Sequence, residues 1–154
     1  MAEGGALNGA TYYDYYQTRD GRYLSVGSLE PQFMLGLAQA LHLPLLAERG
    51  ASMHPEDRLE IRQLVQNAIA LEDFDHWKQV FAALDVCVEP VLTLSEAAQS
   101  ELAQSRGWLV NVPLDEHGHD SQQQLAHPIQ FSRSQPVYRF VGRALGADNA
   151  ILGA

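Results

Sequence analysis

The sequence has a single cysteine, few basic residues and no long apolar run, and each shortage closes off a class of protein. Cys87, alone in "DVCVEPVL", can form no internal disulfide, so a disulfide-stapled secreted scaffold is excluded and the cytoplasm is the expected compartment. Only 10 Lys and Arg stand against 19 Asp and Glu. The resulting formal charge of −9 has the wrong sign for neutralising a phosphate backbone, so no nucleic-acid partner is expected. No stretch approaches the roughly twenty consecutive apolar residues of a spanning helix. The opening "MAEGGALNGA" also lacks the basic-then-apolar build of a signal peptide, so no membrane partner is expected. A Gly-rich phosphate loop, a G-x-S-x-G elbow and a C-x-x-C pair are all missing.

What is present is enough for one core: 154 residues, 46% of them hydrophobic, with no internal repeat. "TYYDYYQT" and "YLSVGSL" read as two strands of a hairpin, because Asp20-Gly21 between them supplies the positive φ of a tight turn. Pro31 suits the first position of a helix that runs to about Leu41 and stops before Pro44, with Phe33, Leu37, Ala40 and Leu41 on one face. A second helix is expected from about Pro55 to Leu71, with an apolar stripe of Ile61, Leu64, Val65 and Ala68. A third, capped by Asp73, carries Trp77, Val80, Phe81 and Leu84. Both of these helices should pack on the hairpin.

"VCVEPVLTL" reads as a strand that Pro90 confines to an edge. Ser95 is expected to cap a short helix through about Gln104, ended by Gly107, and "WLVNV" is a further strand. "PLDEHGHDSQQQLAHP" has no usable periodicity and reads as a loop, with "IQFSRSQP" as a last short extended piece. The fold class is α+β: a small antiparallel or mixed sheet with an N-terminal hairpin, amphipathic helices packed on it, and an extended C-terminal tail.

Glu30, in "SVGSLEPQF", is the residue with chemical interest. The proline after it pushes it out of the helical region, to the junction of strand and helix. There it can be an ordinary acidic cap beside free N–H groups, or a carboxylate that reaches into a cleft and orients a histidine. Position alone does not decide between them. "DEHGHD" holds two histidines and three carboxylates, but nothing fixes a third ligand, so a solvated acidic turn is expected and no metal. Cys87, on an apolar strand, is expected in the core. The four tyrosines Tyr12, Tyr13, Tyr15 and Tyr16 put two rings on each face of one strand, one pair for packing and one for a pocket or an interface.

Gly9 to Phe33, "GATYYDYYQTRDGRYLSVGSLEPQF", resembles the segment that begins the small domain of family III CoA-transferases, the CaiB/BaiF type. "DFDHWKQVFAALDVCVEPVLTLSEA", "RGWLVNV", "HPIQFSRS" and "GRALGADNAIL" follow in the family's order, so the likeness covers essentially the whole chain. The Glu-Pro-Gln-Phe of Glu30 to Phe33, with no glycine run to cover an active site, is similar to the α-methylacyl-CoA racemase branch. The resemblance implies residues 1–10 as a linker or boundary, 11–112 as the small domain, and 113–154 as a loop and a segment returning to a large domain absent from this sequence.

That large domain, by the same resemblance, binds the acyl-CoA substrate and carries the catalytic aspartate and histidine. Glu30 takes a supporting role that orients the histidine, and Tyr13 and Leu29 face the acyl group. The implied reaction is racemisation at the carbon α to a 2-methylacyl-CoA thioester, with the thioester as substrate and no further cofactor. The implied assembly is an interlocked homodimer, and the chain by itself is expected to be inactive and prone to self-association. Two other readings stand beside it: CoA transfer between carboxylic acids, as in the formyl-CoA transferase and carnitine dehydratase branch, and a non-catalytic domain that binds a protein. The wording of "HLPLLAERGASMHPEDRLEIRQLVQNAIALED" departs from the family's, and "DEHGHD" has no counterpart to map onto.

Overall fold

The computed structural model describes residues 10–153. The expected linker therefore lies outside the described residues, apart from Ala10. The chain packs as two compact units that divide between Val91 and Leu92.

In the first unit, β1 (Asp14–Gln17) and β2 (Tyr23–Val26) form the expected hairpin, and β3 (Val88–Pro90) adds antiparallel to the far side of β2. Gly21 takes a φ of 82° in the turn, which only glycine adopts without cost. Register follows the alternation of side chains: Tyr16 lies opposite Leu24 and Val26 opposite Val88, all four buried, while Tyr15 stands 64% exposed on the other face. Pro90 ends the edge strand, where a missing N–H does no harm.

Helix α1 (Pro31–Ala40) starts and stops where expected, but it buries Met34, Leu37, Ala38 and the flanking Leu41. Phe33 and Ala40 sit at the rim instead, so the apolar stripe is rotated from the one read in the sequence. His42, with a φ of 54°, breaks the chain out of this helix, and the sequence reading missed the short helix that follows, α2 (Pro44–Arg49). Six residues are too few for an apolar period to show, and its one buried side chain is Leu46.

Helix α3 (Pro55–Ile69) packs on β1 and on α2 and buries Ile61, Val65 and Ile69. Its Gln66 side chain accepts from the Gln17 N–H at 3.3 Å and donates to the Gln17 carbonyl at 3.0 Å, so an amide occupies the open edge of β1. Arg62 pairs with Asp14 on the same edge. Helix α4 (Phe74–Ala82) packs on β3, burying Phe74, Trp77 and Phe81; Val80 lies at the margin and Leu84 is exposed. The Trp77 indole donates to the Ile69 carbonyl at 2.8 Å and its ring stacks on Phe81, which ties α4 to the end of α3. Truncating such a buried aromatic costs about 3–5 kcal/mol.

Asp73 precedes α4 but makes no side-chain cap bond. Its carboxylate is taken by Arg19 Nε at 2.8 Å, and the Phe74 N–H donates instead to Asp20 Oδ1, in the hairpin turn, at 3.1 Å.

In the second unit, Thr93 rather than Ser95 begins α5 (Leu94–Gln99), in a reciprocal capping box with Glu96. Ser100 returns to an extended conformation and caps a separate α6 (Glu101–Ser105), so the single helix expected here is two. Gly107, with a φ of 59°, ends the pair as expected. The expected strand is β4 (Leu109–Pro113), but its partner β5 (Ser121–Leu125) lies inside the stretch read as a loop. "SQQQL" lacks an apolar alternation, yet a ladder needs only backbone N–H and C=O groups, and β4 supplies them. "IQFSRSQP", bracketed by Pro128 and Pro136, forms no strand. The tail is tied within this unit: Val141 N–H donates to the Pro113 carbonyl at 2.8 Å, and Arg143 pairs with Glu116 and Asp148. A short 3-10 helix, Asn149–Leu152, closes the described chain.

Candidate functional site

The end of β2 and the start of α1 are held by a chain of buried hydroxyls. Tyr12 and Tyr16, the inward pair of the tyrosine strand, are 2% and 1% exposed. The Tyr16 hydroxyl donates to the Tyr12 carbonyl at 2.8 Å, and the Tyr12 hydroxyl donates to the Ser28 carbonyl at 2.6 Å. Ser28 is itself fully buried, and its Oγ donates to the Val86 carbonyl. Beside it the Gly27 N–H donates to the Cys87 carbonyl at 2.8 Å. The segment that leads into β3 is thus fastened to the segment that leads out of β2.

Close approach makes this possible. A Cβ on Gly36 of α1 would lie 2.6 Å from Val86 Cγ1, and Val86 is buried, so only glycine lets the helix lie this near. A Cβ on Gly27 would lie 3.5 Å from Tyr13 Cε2, which places the Tyr13 ring over Gly27.

Glu30 follows this junction. The Leu29 N–H turns back to the Gly27 carbonyl at 2.9 Å, and Glu30 is extended, with φ −67° and ψ 142°. Its carbonyl accepts from the Met34 N–H at 2.9 Å and so begins α1. Its carboxylate makes no cap bond, and the residue is exposed. The plain capping role is therefore unused. Tyr13 and Leu29 are both half-buried; Tyr13 lies against Gly27, three residues before Glu30, and Leu29 directly precedes Glu30 in the chain.

The charge of Glu30 is felt by the groups around the junction. Burial, and then the charge of Glu30, push the Tyr12 phenol up to about 12, so it stays a neutral donor. Burial also raises Tyr16, with the Asp14 carboxylate adding to it. Cys87 departs from expectation: it is exposed, with a φ of 52°, in the bend before β3. The purely apolar setting read from its neighbours fails because the chain turns at that residue. Its thiol is raised by desolvation and then by Glu30, Asp85 and Glu89, so less of it is thiolate than in an isolated cysteine.

The "DEHGHD" segment closes the β4–β5 hairpin. Asp115 Oδ1 accepts the N–H groups of His117 at 2.8 Å and Gly118 at 2.9 Å, and Asp120 accepts from Ser121. Glu116 is engaged by Arg143. These carboxylates shape a turn, and among the described residues no three His, Cys, Asp or Glu side chains gather as a metal-holding group. No helix among the described residues is long and apolar enough to cross a membrane.

A family model described as CoA-transferase family III matches residues 1–149. The chain belongs to this family. It is 37% identical over 89 residues to the alpha-methylacyl-CoA racemase of Mus musculus, a stretch that covers 58% of this chain and 23% of that protein. Against the alpha-methylacyl-CoA racemase of Homo sapiens the identity is 34% over 99 residues, covering 64% and 26%. The family III chain thus matches about a quarter of the length of these relatives. Its fold is similar to that of Rv3272 from Mycobacterium tuberculosis, with a TM-score of 0.70 at 19% identity, over 90% of this chain and 39% of that one. Sequence reasoning expected one tyrosine pair to pack, as Tyr12 and Tyr16 do, but missed Ser28 and Gly36, whose contacts are with residues up to 58 positions away. The small residues of "VGSLEP" were the visible sign of Ser28.

Proposed function

We propose that this chain serves as the small domain of an enzyme that exchanges the proton α to the carbonyl of a 2-methylacyl-CoA thioester. In this reading Glu30 orients a histidine carried by a CoA-binding half, and Tyr13 and Leu29 face the acyl group. The observation that carries it is the state of Glu30: held at a fastened junction, yet exposed and not spent on capping its own helix. The identity to two alpha-methylacyl-CoA racemases supports the same reaction.

The chemistry is coherent. A thioester acidifies its α-proton, and a racemase needs one base on each face of the planar intermediate. A carboxylate bonded to one ring nitrogen of a histidine fixes its tautomer and raises its basicity at the other. The proposal places the second base, an aspartate, on the same CoA-binding half. It also includes an interlocked homodimer in the cytoplasm, with the thioester as substrate and no resident cofactor.

The test is wash-in of solvent deuterium at the α-carbon of a 2-methylacyl-CoA, measured on the full enzyme that carries this segment. Glu30→Gln keeps the shape and removes the charge, and exchange should fall by roughly 10²-fold, the cost of a misplaced catalytic group. Full retention of exchange in that variant would sink the role of Glu30. CoA transfer is the second reading, favoured by the family description. Transfer of CoA to an added carboxylate without α-exchange would establish it instead.

A further inference from the structure

We infer that Tyr12 is a positioning residue for Glu30, acting through Ser28. The inference rests on the reading of Glu30 just given and adds the device that keeps its carboxylate available.

The first turn of any helix offers N–H groups with no partner, and its dipole attracts a nearby carboxylate. Glu30, at the cap position of α1, is where such a carboxylate would fold back, and it does not. The main chain before it is held from both sides. Tyr12 Oη donates to the Ser28 carbonyl at 2.6 Å, and Ser28 Oγ donates to the Val86 carbonyl. Tyr16 in turn fixes the Tyr12 main chain by donating to its carbonyl at 2.8 Å. Ser28 is 0% exposed, so its carbonyl has no water to replace the phenol.

The relay therefore runs Tyr16, Tyr12, Ser28, Val86, and it sets the direction in which Leu29 and Glu30 leave the sheet. Losing the Tyr12 hydroxyl leaves a buried carbonyl without its donor, which the Ser28–Leu29 turn can relieve only by rotating. Rotation there redirects the next residue, and the carboxylate settles on the free N–H groups of α1.

The experiment uses the full enzyme with Tyr12→Phe, Glu30→Gln, and the two combined, measured by α-proton exchange into deuterated solvent across pH. Tyr12→Phe should lower kcat roughly tenfold, about one hydrogen bond's worth, and leave KM within about twofold. The pH profile should change as well. A carboxylate that no longer faces the histidine no longer raises its pKa, so the limb belonging to that base should move to lower pH. Adding Tyr12→Phe to Glu30→Gln should cost nothing more, because both act on one interaction. Ser28→Ala, which removes only the Oγ bond to Val86, should shift kcat and the limb in the same direction, and it carries the test if Tyr12→Phe does not fold.

If Glu30→Gln lowers exchange while Tyr12→Phe leaves kcat and the pH limb unchanged, the inference is overturned and the reading of Glu30 stands. Independent, multiplying effects of the two substitutions also overturn it. If Glu30→Gln keeps full exchange, the reading of Glu30 fails, and the positioning role fails with it.

Discussion

Asp20, in the β1–β2 turn, accepts the backbone N–H of Phe74 at the start of α4, at 3.1 Å, although the residues are 54 apart in sequence. Thr18 Oγ1 donates to the same Asp20 oxygen at 2.5 Å. The neighbouring Arg19 reaches Asp73 and the Leu71 carbonyl, and its N–H donates to the Glu72 carbonyl. The turn of the hairpin thus grips the junction of α3 and α4. A helix cap that the sequence assigns to the preceding residue is supplied from another element, while that residue binds the arginine.

This grip should make the fold sensitive to acid. The Thr18 hydroxyl bond holds the Asp20 carboxyl below its ordinary value of 3.8, and the Arg19 bond does the same for Asp73. A group lowered in the folded state adds stability above its unfolded value, and that stability disappears as pH falls through the folded value. The paired variant Asp20→Asn, Asp73→Asn imitates the protonated state. It should unfold at lower urea than wild type at pH 7, and the difference should shrink steadily below pH 3.8. A urea gap that is constant with pH would remove these two carboxylates from the account.

At the other end of the scale the buried tyrosines set the limit. Tyr12 rises from 10.0 to about 12 through burial and then the Glu30 charge, and Tyr16 is raised as well. Their contribution is complete below pH 10 and is lost as pH climbs towards 12, because the unfolded phenols ionise first. Tyrosinate absorbance followed beside circular dichroism should show two of the 6 tyrosines ionising only as the fold gives way. Ionisation of all of them before any loss of structure would contradict the burial of this pair.

Gly36 offers a test of packing. Gly36→Ala places a methyl 2.6 Å from Val86 Cγ1, a distance that neither side can tolerate without moving. Overpacking of this kind costs about 1–3 kcal/mol. Val86→Ala also destabilises, but the double variant should recover part of the loss, since the methyl then enters the space vacated. Strictly additive losses in urea unfolding would show that the helix and the Val86 segment do not meet as described.

How much of this was legible in advance depended on whether a feature was local. Asp20-Gly21 announced a hairpin because the turn's backbone demand is met by those two residues alone, and Pro31 announced α1 for the same reason. β5 was invisible because its three glutamines carry no alternation, and its structure comes from the β4 ladder. Cys87 was misread because an apolar neighbourhood says nothing about a φ of 52°. Glu30 was legible as a residue and ambiguous as a role, because whether its carboxylate caps α1 is decided by the folded chain and not by the residues beside it in sequence.

Cys87 turns that placement of Glu30 into something measurable without substrate. It is an exposed thiol, so reagent access does not limit its alkylation, and the rate follows the thiolate fraction. Desolvation raises its pKa above 9.0 first, and Glu30 is the largest of the three carboxylate contributions after it. A Glu30→Gln variant should therefore alkylate faster than wild type near neutral pH, with the midpoint of its rate profile moved down. Asp85→Asn and Glu89→Gln should do the same to a smaller degree. High salt should narrow these differences, because the charges act partly through solvent. Such a result would locate the Glu30 carboxylate beside Cys87, at the mouth of the β2–α1 junction, by its field alone. An unchanged profile in Glu30→Gln would mean that the carboxylate points elsewhere, and would weaken the orienting role before any enzyme assay is run.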